Sequence, residues 1–230
     1  MIFRSARFRK PLALFPLILS VALSHAAPPN AEEILASARL NPAGQHMVLD
    51  ASLKGDRTKT PFTITVADGA VRYSFQDPEQ ELILKIDDNG PVLSERSGGK
   101  TAPVRPARFD ENVRNSGLTF EDLTFRFLYW KNPKLIGDEQ LVTGPAWKLE
   151  LQAPRDSQYG AVRLWIGKDN GALFKVEGYD KKGVLLRDFQ VIQVQKLGDQ
   201  WMLKNMRVRL KNPETNKTSI SYLDILGRRE

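Results

Sequence analysis

One feature constrains this chain more than any other: apolar and polar residues alternate at period two from residue 46 almost to the C-terminus. Met47, Leu49 and Leu53 alternate with polar positions, and the pattern returns at Phe62, Ile64 and Val66, at Val71, Tyr73 and Phe75, and at Leu82, Leu84 and Ile86. Successive side chains of a strand point to opposite faces, so this spacing specifies strands with one wet and one buried side. Asp68-Gly69 and Asp88-Asn89-Gly90 separate the runs with residues that accept the positive φ of tight hairpin turns. Alternation resumes at Trp147, Leu149 and Leu151, at Val162, Leu164 and Ile166, at Phe174 and Val176, at Phe189 and Val191, at Trp201 and Leu203, and at Ile220 and Tyr222. Asp169-Asn170-Gly171, Lys182-Gly183 and Gly198-Asp199 punctuate it. The expectation is a mainly β (α+β) chain with one antiparallel sheet of roughly ten or eleven strands, which neighbour-to-neighbour twist must curl into a concave surface.

Two segments read as helical instead. Asn30 can cap a helix that carries Ile34, Leu35 and Ala38 on one face. Thr119 with Asp122 makes a capping box, after which Phe120, Leu123, Phe127 and Leu128 fall on one face until Pro133 stops the run. A helix there, folding across the concave side, would act as a lid. The stretch from Gly98 to Arg108 reads as a long mobile loop.

The N-terminus has the form of an export signal. Arg4, Arg7, Arg9 and Lys10 precede an apolar run from Leu12 to Leu23, and Ser24-His25-Ala26 is a small-x-small cleavage site, so residues 1–26 are expected to be removed and 27–230 to form a single domain. That removal takes four of the 34 Lys and Arg and none of the 27 Asp and Glu, so the net charge falls from +7 to +3. The basic excess therefore belongs mostly to the signal and gives no support to nucleic-acid binding. No later run is long and apolar enough for a membrane helix, and the form of the signal suggests a bacterial periplasm. The chain holds no Cys. Disulfides, thiolate metal sites, cysteine nucleophiles and a lipidated N-terminus are excluded together.

The remaining chemical motifs reduce to structure. His25 leaves with the signal and His46 stands alone at the start of a strand, which leaves no partner set for a histidine triad. Ser97-Gly98-Gly99-Lys100-Thr101 lacks the upstream glycine of a phosphate loop, because position 94 is Ser. Asp87-Asp88-Asn89-Gly90 and Asp169-Asn170-Gly171 lack the alternating ligands of a calcium loop and read as turns. Asp110, Glu111, Glu121, Asp122, Asp138 and Glu139 could supply a glycosidase pair, but acids beside caps and turns are usually solvated. Arg207-Val208-Arg209-Leu210-Lys211 reads as a strand with Val208 and Leu210 inward and a basic wet face. No catalytic residue, metal or cofactor is expected.

What remains is apolar. Trp165 alternates against Val162, Leu164 and Ile166, so its strand is apolar on both faces and needs a second cover: a lid helix, lipid or another protein.

Leu118-Thr119-Phe120-Glu121-Asp122-Leu123 with Phe127-Leu128, the strand Trp147-Lys148-Leu149-Glu150-Leu151, Val162-Arg163-Leu164-Trp165-Ile166 with its Asp169-Asn170-Gly171 turn, and Val176-Glu177-Gly178-Tyr179-Asp180 resemble the outer membrane lipoprotein-sorting proteins, the LolA-like periplasmic carriers. The similarity runs over roughly residues 31 to 226. It implies an incomplete antiparallel β-barrel of about eleven strands, with helices as a lid over a hydrophobic cavity. It also implies acyl chains of lipoproteins or lipids as cargo and no enzymatic activity. Family carriers latch the lid with a cavity arginine, a role given to no arginine here. The acceptor of that family is itself a lipoprotein, and the missing Cys places this chain with the soluble carriers.

The expected cavity lining is Phe62, Ile64, Val66, Tyr73, Phe75, Leu82, Leu84, Trp147, Leu149, Leu164 and Ile166, with Phe120, Leu123 and Phe127 on the lid. The expected role is a monomeric periplasmic carrier that moves lipoproteins or lipids from an inner-membrane transporter toward an outer-membrane acceptor. The alternative is a non-transporting sensor or scaffold that uses the same half-barrel to bind a protein of an envelope or export complex.

Overall fold

A computed structural model describes residues 29–40, 46–55, 57–87, 90–198, 200–212, 215 and 217–229. The expected export signal, and the turn residues Asp88, Asn89 and Asp199, lie outside the described residues. The chain opens with α1 (Ala31–Ser37), whose cap Asn30 accepts a hydrogen bond from the Glu32 amide at 3.0 Å. A first meander follows: β1 (Met47–Lys54), β2 (Lys59–Ala67), β3 (Ala70–Phe75), β4 (Gln80–Asp87), β5 (Gly90–Ser97) and β6 (Lys100–Pro103). A crossing segment holds α2 (Phe120–Leu123) and a 3-10 turn, Arg126–Tyr129. The second meander is β7 (Lys134–Leu141), β8 (Gly144–Gln152), β9 (Ala161–Gly167), β10 (Leu173–Tyr179), β11 (Leu185–Leu197), β12 (Gln200–Lys211) and β13 (Thr218–Arg228).

The strands form one open antiparallel sheet in the order β6-β5-β4-β3-β2-β1-β13-β12-β11-β10-β9-β8-β7. The first and last strands thus join the two meanders at the centre, while β6 and β7, neighbours in sequence, lie at opposite edges. The connection between them must cross the whole concave side. That topological fact, more than any local propensity, places residues 104–133 over the hollow of an incomplete barrel.

The register carries apolar side chains across the concave face in unbroken rows. Leu49 pairs with Ile64, Ile64 with Tyr73, and Tyr73 with Leu82. In the other half Leu149 pairs with Leu164, Leu164 with Val176, Val176 with Phe189, and Phe189 with Val208. All of these residues are buried and belong to one core cluster. Each apolar side chain so covered contributes roughly 1.5–3 kcal/mol, and the rows hold the curvature.

Four expectations need correction. The sheet has thirteen strands, not ten or eleven: the edges β6 and β7 are exposed throughout or nearly so, and β5, in which Leu93 alone is buried, carries too little apolar alternation to mark a strand. The stretch Gly98–Arg108 is not a loop throughout: it is the β5–β6 turn, β6 and a 3-10 turn at Pro106–Arg108, with Gly98 and Gly99 at φ +57° and +74°. The lid is not one helix. Phe125 sits in the left-handed region at φ +47°, ψ +38°, and separates α2 from the 3-10 turn. That break swings the Phe125 ring inward, to 5.7 Å from Phe127 and 6.3 Å from Phe189, where a continuous helix would have directed it elsewhere.

The fourth correction concerns Trp165, which needs no external cover. A bulge between Leu173 and Lys175 turns Phe174 to the outer face, and Trp165, only 1% exposed, packs there with Ala146, Ala172 and Phe174. Its Nε1 donates to Glu139 at 2.8 Å, and the Lys148 and Lys175 ammonium groups lie 4.7 and 4.4 Å from the indole ring.

Candidate functional site

The concave face encloses a hydrophobic cavity of about 90 Å³. Its floor is Leu49 of β1, Ile64 of β2, Tyr73 of β3 and Leu223 and Ile225 of β13. Its roof is Thr124, Phe125, Leu128 and Tyr129 of the crossing segment with Ala38 and Leu40 beyond α1. Leu173 of β10 and Trp201, Met202 and Leu203 of β12 form the rim, where Trp201 is 40% exposed. Pockets that hold drug-sized ligands measure about 300–1,000 Å³, so this one takes a long chain only when the roof withdraws.

Of the lining expected from sequence, Ile64 and Tyr73 border the cavity. Phe62, Val66, Phe75, Leu82, Leu84, Leu149, Leu164 and Ile166 are buried in the core that surrounds it, and Trp147 is half-buried at the β8 side of that core. Phe120, Leu123 and Phe127 are buried beneath the crossing segment, where Phe127 meets Phe189 edge-on at 6.0 Å. The roof over the free volume is instead made by their neighbours, Phe125, Leu128 and Tyr129.

The two ends of the crossing segment are held differently. At the α2 end, Thr119 and Asp122 close a reciprocal capping box, at 3.1 Å from the Asp122 amide to Thr119 Oγ1 and 3.0 Å from the Thr119 amide to Asp122 Oδ2. Asp122 also accepts from Arg187 Nε of β11 at 3.3 Å and from the Tyr159 hydroxyl. Glu121 accepts from Arg126 Nη1 at 3.2 Å, from Ser157 Oγ at 2.9 Å and from the Gln158 amide at 3.2 Å. Arg126 Nη2 reaches Asp156 at 2.7 Å, and its guanidinium lies 4.3 Å from the Phe109 ring centre. Burial pushes the Glu121 carboxyl up to about 7 against these donors. Burial, with the Asp122 charge beside it, holds the Tyr159 phenol well above its ordinary value, so it stays protonated and donates.

At the other end the roof is stapled to the segment after α1. Arg39 Nε donates to the Leu128 carbonyl at 2.6 Å, its guanidinium lies 5.8 Å from the Tyr129 ring centre, and the Tyr129 hydroxyl donates to the Leu40 carbonyl at 3.0 Å. Burial pushes that phenol up to about 12.

Sequence reasoning placed Glu121 and Asp122 among solvated acids, whereas both are fully buried and heavily bonded. Of the other acids of that group, Asp110 is exposed, and three form surface pairs: Glu111 with Arg108, Asp138 with Lys168, and Glu139 with Trp165 and Lys148. Only the capping box hinted at the role of Asp122. Tyr159 and Arg187 carried no local signal. Among the described residues no cluster of three or more His, Asp or Glu has the arrangement of a metal site, and no helix is long and apolar enough to cross a membrane.

A family model described as "Uncharacterized protein" matches residues 99–228, more than half of the chain. The chain belongs to that family. No curated protein matches its sequence. Solved structures do match its fold. An outer membrane lipoprotein-sorting protein domain from Vibrio parahaemolyticus superposes with a TM-score of 0.65 at 16% identity, over 86% of this chain and 89% of the other. A DUF1329 family protein from Desulfovibrio piger gives 0.57 at 16%, over 86% and 88%. A LolA superfamily protein from Nitrosomonas europaea gives 0.55 at 16%, over 88% and 95%. The fold is LolA-like: an incomplete antiparallel barrel with a segment laid across its concave side.

Proposed function

We propose that this protein is a non-enzymatic carrier of acyl chains, exported to the periplasm by the signal in residues 1–26, that carries lipoproteins or lipids through water toward the outer membrane. The observation that carries the reading is the apolar cavity roofed by the apolar side chains of Phe125, Leu128 and Tyr129, whose segment is held by buried carboxylates at one end and by only two bonds to backbone carbonyls at the other. A palmitoyl chain loses on the order of 12 kcal/mol when transferred to water, at ~0.8 kcal/mol per CH₂, so unaided crossing is negligible. A carrier must replace most of that burial and still release its load. Here Phe125, Leu128 and Tyr129 occupy the space a ligand would take, and their own burial opposes the ligand's, which keeps binding reversible. Arg187, reaching Asp122 from the concave face, holds the anchored end of the crossing segment.

The small free volume favours one competing reading, a filled half-barrel that serves as a scaffold for a protein partner. Organic-solvent extraction of protein purified from a periplasmic fraction, followed by mass spectrometry, separates the two. The carrier reading expects a co-purifying acylated molecule and saturable uptake of a fluorescent fatty acid by the delipidated protein. Absence of both overturns it.

A further inference from the structure

A second recess, of about 460 Å³, lies between the 3-10 turn, β5 and the end of β8. Its walls include Pro91, Arg126, Tyr129, Trp130, Pro154 and Asp156, and Tyr129 also lines the apolar cavity, so the two spaces share one side chain as a wall. Two buried donors on these walls have no hydrogen-bond partner among the described residues: Trp130 Nε1 and Arg126 Nε, on residues only 4% and 6% exposed. The Trp130 ring meets Phe127 edge-on at 6.3 Å, a contact that needs no nitrogen. An indole N–H can only donate, and a buried donor left unpaired carries a desolvation cost that a ligand acceptor would remove. Phenylalanine at position 130 would avoid that cost altogether.

The geometry favours a neutral acceptor. Arg126 is already bridged by two carboxyl groups, Nη1 to Glu121 at 3.2 Å and Nη2 to Asp156 at 2.7 Å, so its Nε offers a donor rather than a spare charge. A volume of this size suits a small ligand or the head of a larger one. Both nitrogens are closed to water in the present state, but Trp130 directly follows Tyr129 and caps the 3-10 turn, so a displacement of Tyr129 that opens the cavity also moves the indole. We propose that the recess is a head-group site: the acyl chain takes the apolar cavity, and the peptide attached to it places a carbonyl oxygen on Trp130 Nε1, with Arg126 Nε as the second donor. This inference rests on the carrier reading above. It deepens that reading by naming an acylated peptide, rather than a phospholipid, as the molecule the site fits.

Three ligands with the same sixteen-carbon chain test the proposal on the delipidated protein: N-palmitoyl-glycyl-serine amide, hexadecanol and palmitoyl lysophosphatidylglycerol. In ¹⁵N-labelled protein the assigned Trp130 indole N–H signal should move downfield with the acylated dipeptide and not with hexadecanol. In competition against a fluorescent fatty acid the dipeptide should bind about tenfold more tightly than hexadecanol, the worth of one or two hydrogen bonds. Trp130→Phe should cut that preference to about twofold and leave hexadecanol's affinity unchanged, while Trp201→Phe, at the rim of the apolar cavity, should retain it. A Trp130 signal unmoved by bound dipeptide overturns the assignment whether or not the variant folds. A preference that survives Trp130→Phe, or equal weakening of both ligands by it, would do the same. Tighter binding of the lysophospholipid than of the dipeptide would overturn the peptide as occupant. Failure of the unaltered protein to take up any of the three would instead bring down the carrier reading itself.

Discussion

The two ends of the half-barrel interior are closed by the same crossing segment with opposite chemistry. At the closed end, the turn at residues 112–119 seals the hollow, Ser221 donates to the Ser116 carbonyl, and Gly117, at φ +84°, lies where a Cβ would come within 2.4 Å of Leu210. Beside it Glu121 binds Ser157 of the β8–β9 connection and Asp122 binds Arg187 of β11. At the open end, Phe125, Leu128 and Tyr129 touch apolar walls and are held by two bonds to backbone carbonyls and one ring contact. Buried carboxylates have directional partners and lose heavily when displaced, while apolar contacts can slide and be exchanged for those of a ligand. The contrast teaches that one end of the segment is an anchor and the other a gate, with the left-handed Phe125 between them.

The contrast breaks first at Asp122. Asp122→Ala strands Arg187 and Tyr159 without their acceptor, and should lower the unfolding free energy in denaturant by about 3–5 kcal/mol; a loss below about 1 kcal/mol would deny that this end is an anchor. Glu121 sets the next test. Its carboxyl is raised from 4.5 to about 7 in the folded state, so the native protein binds its proton more tightly than the unfolded chain does. The resulting stability is complete below about pH 4.5 and is lost as pH rises through about 7, a change of up to about 3 kcal/mol. Glu121→Gln should flatten that slope in denaturation curves taken across the window, and an undiminished slope would assign it to another group. Gly178→Ala sharpens the comparison at one remove, since its Cβ would come within 2.3 Å of the Tyr159 ring and push the phenol from Asp122. A fall of about 1–3 kcal/mol in thermal or chemical stability is expected.

The smallest effect belongs to the gate. Arg39→Ala removes the bond to Leu128 at a stability cost below about 1 kcal/mol, and by loosening the closed state should tighten fluorescent fatty-acid binding about two- to fivefold. Weaker binding would show that Arg39 shapes the bound state rather than holding the empty one.

The inward rows of the sheet were legible because strand faces depend on spacing within one strand. Leu149 with Leu151 and Leu164 with Ile166 share a side of their own strand by period alone, while the register that lines Leu149 up with Leu164, Val176 and Phe189 needs the sheet. The edges were not legible: Lys100–Pro103 is exposed throughout and Lys134–Leu141 nearly so, so neither carries an apolar beat. The lid was half legible. Its capping box and apolar residues could be read, but the break at Phe125 arises from where that ring must go among Phe127 and Phe189, which no local propensity encodes.

By itself, the amino-acid order determined most of the strands, the alternation along each, the turns between them and the capped start of the crossing segment, because each depends on residues a few positions apart. The tertiary structure alone decided which strands became edges, how Trp165 is covered, and that two acids beside a helix cap are buried rather than wet. Those outcomes rest on partners far along the chain, Arg187 lying 65 residues from Asp122 and Tyr159 37. A buried charge is tolerated only where distant donors converge on it, and that convergence exists only once the sheet has curled.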